Sequence, residues 1–252
     1  MFASAPRARS SACSNWAGDV VLRALGNPAR RGPAPRARAL EAAAPAVAVD
    51  VAVFTVVDGA LHVLAVPVHE GAFAGRLALP GGRVRVEETL EDAARRHLAG
   101  QTGVRGIYLE QLYTFGSPGR DPHGRVVSVA YFALIAHGGR GLRGDAAWCA
   151  VARPPALAYD HPAVLRTAVA RLRAKLRYTN LVYGLLPARF TLGELQAMYE
   201  AILGRPLDRR NFRKKILSLG LLRRAAGTRR GPHRPALLYS FHRRHPTMID
   251  IL

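Results

Sequence analysis

The chain has 252 residues, 49% of them hydrophobic, enough to bury a sizeable core as one large domain or two modest ones. Its formal net charge is +20, with arginine outnumbering lysine 34 to 3, which argues for a polyanionic partner or a membrane surface. No apolar run reaches the roughly 18 residues of a membrane span, and two distant cysteines, Cys13 and Cys149, argue against a disulfide scaffold or zinc site and for a reducing cytoplasm.

Residues 1–46 are rich in Ala, Pro, Arg and Ser without sustained periodicity, so a disordered leader or a misplaced start codon is expected. An Arg-rich organellar targeting segment is the other reading. From Val47, VAVDVAVFTVV and ALHVLAVPV predict two strands around the Asp58-Gly59 hairpin turn. The loop HEGAFAGR leads to Leu79-Pro80-Gly81-Gly82 and a helix from about Thr89 to Gln101. QLYTFG and VVSVAYFALIA, joined by SPGRDPHGR, predict two more strands. Residues 47–155 are thus expected to form an α/β/α sandwich.

ARPPALAYDHP marks a boundary, and residues 156–178 are expected to form a linker helix. Val164, Ala168, Leu172 and Leu176 lie on one face of it and Arg166, Arg171, Arg173 and Lys175 on the other. In residues 179–245, FTLGELQAMYEAILG carries a capping box at Thr191 and Glu194, with Phe190 as its staple and Gly204 as its stop. Asp208 caps a second helix whose buried stripe is Phe212, Ile216 and Leu219. Arg209, Arg210, Asn211, Arg213 and Lys214 are left outward. LLRRAA and ALLYSFH then predict strands around the basic tip GTRRGPHRP, which includes Arg229, Arg230 and Arg234.

From Arg205 to Arg244 there are 13 Arg or Lys and one acid, Asp208. Helix, helix and basic hairpin form the pattern of a winged helix, with the second helix suited to a major groove. Arg and Asn read guanine and adenine by paired hydrogen bonds, and the remaining cations meet phosphates. A merely solvated charged helix is the competing reading. Residues 246–252 are expected to be a tail.

A helix that gathers carboxylates on one face can hold Mg²⁺ against a diphosphate. The stretch GGRVRVEETLEDAARRHLAGQTGV resembles the box of the Nudix hydrolases: Gly82, Glu88, Arg96, Leu98, Gly103 and Val104 stand on its register. Its departures are concentrated in the acidic cluster. His97 stands where the first helical Glu belongs, and Gly100 and Gln101 replace the following Glu pair. Glu87, Glu88, Glu91 and Asp92 remain at the helix start, where they suit the helix dipole. Neither a metal nor a catalytic residue is expected from this set. Glu88 with Arg96 is expected to order the loop around it, as the resemblance implies.

LYTFGSPGRDPHGRVVSVAYFAL resembles the corresponding region of ADP-ribose pyrophosphatases. Arg83, Arg120 and Arg125 become candidates for pairing with phosphates, and Asp121 for fixing the loop. Tyr113, Phe115, Tyr131 and Phe132 are candidates for stacking on adenine, unless they are core.

From Val47 to His242 the sequence resembles the NrtR family, the Nudix-related transcriptional regulators of NAD metabolism. LRYTNLVYGLLPARFTLGELQAMYEAILGRPLDRRNFRKKILSLGLL and RPALLYSF carry the resemblance in the carboxy-terminal part. It implies a cytoplasmic homodimeric repressor that binds a palindromic DNA operator. It also implies a Nudix domain that senses ADP-ribose or a related NAD metabolite, with no required cofactor. Two alternatives stay open: a Nudix hydrolase of ADP-ribose-like substrates with unusual metal ligands, and a nucleic-acid-binding protein without effector control.

Overall fold

The computed structural model describes residues 44–136, 141–229 and 235–248. Most of the expected leader, Cys13, Arg230, Arg234 and the end of the expected tail lie outside them. Among the described residues no helix is long and apolar enough to cross a membrane.

A long strand β1 (Ala46–Val57) organises the first half. It turns at Asp58-Gly59, where both residues have positive φ (48° and 74°), into the antiparallel β2 (Ala60–Pro67). That is the backbone a tight hairpin needs to match strand twist. Two short strands follow, β3 (Leu77–Ala78) on β2 and β4 (Gly81–Arg83) on the start of β1. Helix α1 (Leu90–Thr102) opens with Thr89 accepting from the Asp92 amide and ends at left-handed Gly103. Strand β5 (Glu110–Phe115) is antiparallel to β6 (Val126–Leu134), which runs parallel to β1. The mixed sheet has the order β3-β2-β1-β6-β5, with β4 and β7 (Ala147–Ala150) pairing beside that path. Strand β7 was not expected from the sequence. It is four residues long and half-exposed, too short to show a two-residue period.

Side-chain alternation sorts β1 between two cores. Val49, Val51 and Val53 face α1, packing with Ala93, Ala94 and Leu98. Ala52, Phe54 and Val56 face the opposite side, against helix α2 (His161–Lys175). Val164, Ala168 and Leu172 of α2 are fully buried there, as is Leu176 just beyond it. Each buried leucine is worth about 1.5–3 kcal/mol against exposure.

The same apolar cluster continues through Leu181, Val182 and Leu185 into α3 (Leu192–Leu203) and α4 (Arg209–Ser218). The helix read as a linker is therefore a wall of a shared core. Its polar face is also occupied: Arg171 donates to the Leu112 carbonyl, Arg173 to the Ile202 carbonyl, and Lys175 meets Glu110 at 2.7 Å. Strands β8 (Phe190–Thr191), β10 (Ala236–Phe241) and β9 (Leu222–Arg229) form a second sheet in that order, completing helix, helix and hairpin.

Candidate functional site

A cleft of about 380 Å³ opens where β1, the end of β2, the Gly81-Gly82 turn and the loop before β6 converge on the start of α2. Its floor is an ion cluster around Asp50. Because Asp50 shares the face of Ala52 and Phe54, its carboxylate points towards α2 and not α1. Ser128 on β6 donates to it at 2.6 Å, Arg120 at 3.1 Å, and His161 Nε2 lies at 3.2 Å. Burial alone would raise this carboxyl, but His161, Ser128 and Arg120 outweigh it and hold the pKa at about 2. Arg120 also reaches Asp160 through Nε at 3.0 Å and Nη2 at 2.7 Å. The Leu79 amide donates to His161 Nδ1 at 2.9 Å, so the ring proton sits on Nε2, towards Asp50.

The structure separates the seven sequence-derived ligand residues into two groups. Arg83, Arg120 and Asp121 line the cleft. Glu88, Arg96, Tyr113 and Arg125 are not among its lining residues. Arg96 and Glu88 pair with each other, and Arg96 also donates to the Arg83 carbonyl at 3.1 Å, bracing the loop before α1. That hydrogen bond from Arg96 outweighs the effect of burial and lowers the Glu88 pKa to about 2, with the Arg85 amide adding to it. Arg125 donates to the Gly116 carbonyl at 2.6 Å. Tyr113 is 60% exposed and packs edge-on against Phe115. Tyr131 and Phe132 are buried in the two cores on either side of the sheet.

Two of the three altered box positions, His97 and Gln101, have a structural partner. His97 Nε2 lies 3.0 Å from the Arg83 carbonyl, so it donates there. Gln101 uses both ends of its amide on one residue, accepting from Gly81 N–H and donating to Gly81 C=O, each at 2.9 Å. Gly100 offers no side chain. Glu91 is paired with Arg95, and Asp92 accepts from Thr89. Among the described residues no group of three His, Cys, Asp or Glu is placed to hold a metal ion. Divalent magnesium wants free carboxylate oxygens, and this set does not fit it: the helix positions that would supply them brace the glycine turn instead.

A second cleft of about 350 Å³ lies elsewhere, lined by Tyr108, Trp148 and Tyr183 with Arg105. It is mainly apolar and contains no carboxylate, so the polar chemistry belongs to the first.

In the carboxy-terminal part, Thr191 and Glu194 complete their reciprocal cap at 3.1 and 2.7 Å, and Gly204 closes α3 with φ 70°. Asp208 accepts from the Asn211 amide and starts α4. Phe212 and Ile216 are buried, leaving Arg209, Arg210, Asn211 and Lys214 exposed along the helix. Arg213 is half-buried, and its Nε has no hydrogen-bond partner. Arg229 is drawn back onto Glu194 and the Arg189 carbonyl.

Residues 46–171 match the model of the NUDIX domain, and residues 182–241 match that of the NrtR DNA-binding winged helix domain. A curated relative, the ADPR responsive transcriptional repressor NtrR of Acinetobacter baylyi, is 38% identical over 205 residues, covering 78% of this chain and 82% of the relative. The chain belongs to the NrtR family. The crystal structure of Shewanella oneidensis NrtR complexed with a 27mer DNA superposes with a TM-score of 0.70 at 34% identity, covering 77% of this chain and 93% of that one. Over the Nudix part alone, the ADP-ribose pyrophosphatase of Methanocaldococcus jannaschii is 34% identical across 126 residues, which are 48% of this chain and 72% of that enzyme.

Of the polar floor of this NrtR chain, the sequence singled out Arg120 and missed its partners. Asp50 is there simply the one acid of the strand VAVDVAVFTVV, although a single acid within a strand buried on both faces signals a paired charge. Asp160 and His161 read only as part of a boundary segment. Tyr159 has φ 54°, a left-handed backbone that no local signal announces.

Proposed function

We propose that this NrtR-family chain is a homodimeric transcriptional repressor that binds a palindromic operator and releases it when ADP-ribose or a related NAD metabolite occupies the Asp50–Arg120 cleft. The observation that carries the reading is the physical continuity between the two halves. One apolar core joins the cleft-bearing sheet, α2 and the helices of the winged domain, which supplies the packed element that coupling between the two sites would need. In this reading Arg83 and Arg120 meet the diphosphate and Asp121 holds the Arg120 loop, accepting from the His123 amide at 2.9 Å. Glu88 and Arg96 act indirectly, by bracing the turn. Arg209, Arg210, Asn211 and Lys214 enter the major groove, with Arg213 behind them and Arg229 of β9 beside the backbone, while Arg230 and Arg234, outside the described residues, are taken as further phosphate contacts. The protein works without a metal, in the cytoplasm.

The test is a titration onto duplexes selected from random DNA at near-physiological salt, with and without ADP-ribose. Sequence-selective binding weakened by ADP-ribose supports the proposal. Selective binding indifferent to ADP-ribose would require another effector.

A second reading, hydrolysis of ADP-ribose, draws on the likeness to the archaeal pyrophosphatase. Release of AMP and ribose phosphate with Mg²⁺ or Mn²⁺ would establish it, and absence of turnover would sink it. Against it stands the engagement of His97 and Gln101 with backbone groups.

A further inference from the structure

Arg120 is held at the floor of the cleft in the way a guanidinium holds a phosphate. Two of its N–H groups, on Nε and Nη2, run side by side to the two oxygens of Asp160. A planar fork offers the same pair of donors to a carboxylate or to a phosphate. We infer that Asp160 is an internal stand-in for the ligand's phosphate, and that a diphosphate entering the cleft displaces it from Arg120 and frees the start of α2. This rests on the reading that the cleft takes a nucleoside diphosphate.

Exposure says which carboxylate yields. The Asp50 side chain is 8% exposed and held by Ser128, Arg120 and His161 together, whereas that of Asp160 is 21% exposed and, among the described residues, held by Arg120 alone. Charge says why one must yield. Arg120 is already shared by two carboxylates, Asp50 and Asp160. A diphosphate added to that group meets uncompensated like charge in a poorly solvated place. Ligand and latched Asp160 therefore exclude one another, which gives the ligand unequal affinity for two states of the protein.

The displaced carboxylate has somewhere to go. Asp160 is the residue before α2, a position where an aspartate ordinarily caps the first turn, yet its side chain makes no capping bond. The Ala163 amide is already taken by the Asp160 carbonyl at 2.8 Å, so the released carboxylate, whose side chain is 21% exposed, turns to water. The neighbouring residues are poised for the same change. Tyr159, at φ 54°, has its ring packed between Phe73 at 4.7 Å and His161 at 5.2 Å, and both tyrosine and histidine line the cleft. A bulky residue stays in that backbone region only while its surroundings hold it. Fifteen residues on, α2 ends against the winged domain, where Arg173 binds the Ile202 carbonyl at 2.9 Å. Tyr159, Asp160 and His161 thus form the sensing end of the helix, with Asp160 as a positioning residue that competes with the ligand.

The experiment measures two affinities separately in the full-length protein, for Asp160→Asn and wild type: ADP-ribose and inorganic pyrophosphate by calorimetry, and a selected operator by fluorescence anisotropy. Loss of the competing charge should tighten ADP-ribose binding roughly ten-fold and weaken ligand-free operator binding, because it favours the state that takes the ligand. A purely structural role would weaken both. Unchanged or weaker ADP-ribose binding in a folded Asp160→Asn protein overturns the inference. Should that variant not fold, Arg120→Lys decides: it is expected to lose about ten-fold or more in affinity for pyrophosphate while still binding operator, and retained pyrophosphate affinity refutes the exchange. Wild type that binds pyrophosphate but ignores ADP-ribose refutes the proposed effector and leaves the exchange standing. Indifference to both ligands overturns the exchange itself.

Discussion

Restoring the missing acid at position 101 tests whether the altered box is a decayed metal site or a brace. Gln101 makes two hydrogen bonds to Gly81, one in each direction. In Gln101→Glu the new carboxylate would keep the bond from Gly81 N–H but has no hydrogen to give the Gly81 carbonyl, so two oxygens would face each other about 2.9 Å apart. The lost bond is worth about 0.5–1.5 kcal/mol, and the repulsion adds to it, moderated because the site is exposed. We expect Gln101→Glu to lose about 1–2 kcal/mol, at least as much as Gln101→Ala. Urea unfolding with linear extrapolation measures the stability of both, and assays with Mg²⁺ or Mn²⁺ measure turnover of ADP-ribose to AMP. The turn cannot adapt freely: a side chain on Gly81 would come within 2.3 Å of the Val49 carbonyl, and Gly81 is paired with Asp50 across β1 and β4. A Gln101→Glu protein as stable as wild type, or one that acquires metal-dependent hydrolysis, would refute the brace.

Three further expectations follow from the same geometry. Asp50 and Glu88 both titrate near 2 in the fold, below their ordinary 3.8 and 4.5. Depressed carboxyls stabilise the fold above their unfolded values and lose that contribution as pH falls through the folded ones. Stability should therefore drop between about pH 4.5 and 2, by about 2 kcal/mol from Asp50, and thermal unfolding across that range checks it; a flat profile would contradict the buried cluster. Gly82→Ala places a methyl group 2.5 Å from the His97 ring at φ 154° and should cost about 1 kcal/mol or more. His97→Ala in the same chain should recover part of that loss in calorimetry, and strictly additive losses would argue against the contact. On DNA, Lys214→Ala should weaken all duplexes alike and lower the salt slope by about one, while Asn211→Ala should cost about 1–3 kcal/mol on the preferred site only. Binding isotherms at several salt concentrations separate the two effects, and equal losses on every sequence for Asn211→Ala would remove it from base reading.

Much of this chain is written in short-range pattern. The continuous apolar runs of β1, β2 and β6, the Asp58-Gly59 turn and the four-residue spacing from Val164 to Leu176 each declare an element from its own residues. So does the Thr191–Glu194 cap, because its two hydrogen bonds close over three positions. The frame from Gly82 to Val104 and the basic run on α4 carry enough spacing to indicate the Nudix and winged-helix architecture as well. What the altered residues do instead is not written there. A histidine and a glutamine in place of glutamates read as losses, and only the approach of α1 to the glycine turn shows both side chains supporting that backbone. Arg229 reads as a free basic residue until β9 brings it beside Glu194, 35 positions earlier.

The cleft floor marks the same boundary. Asp50 meets Arg120 and Ser128, 70 and 78 positions away, and Arg120 meets Asp160 a further 40 on. Periodicity, caps and turns depend on forces that act within a few residues, so the chain alone determined its helices, its principal strands and the sign of its surface. Which charges would be buried together was decided only when the sheet and α2 closed on one another, since a buried ion takes its partner from whatever the fold brings within hydrogen-bonding distance.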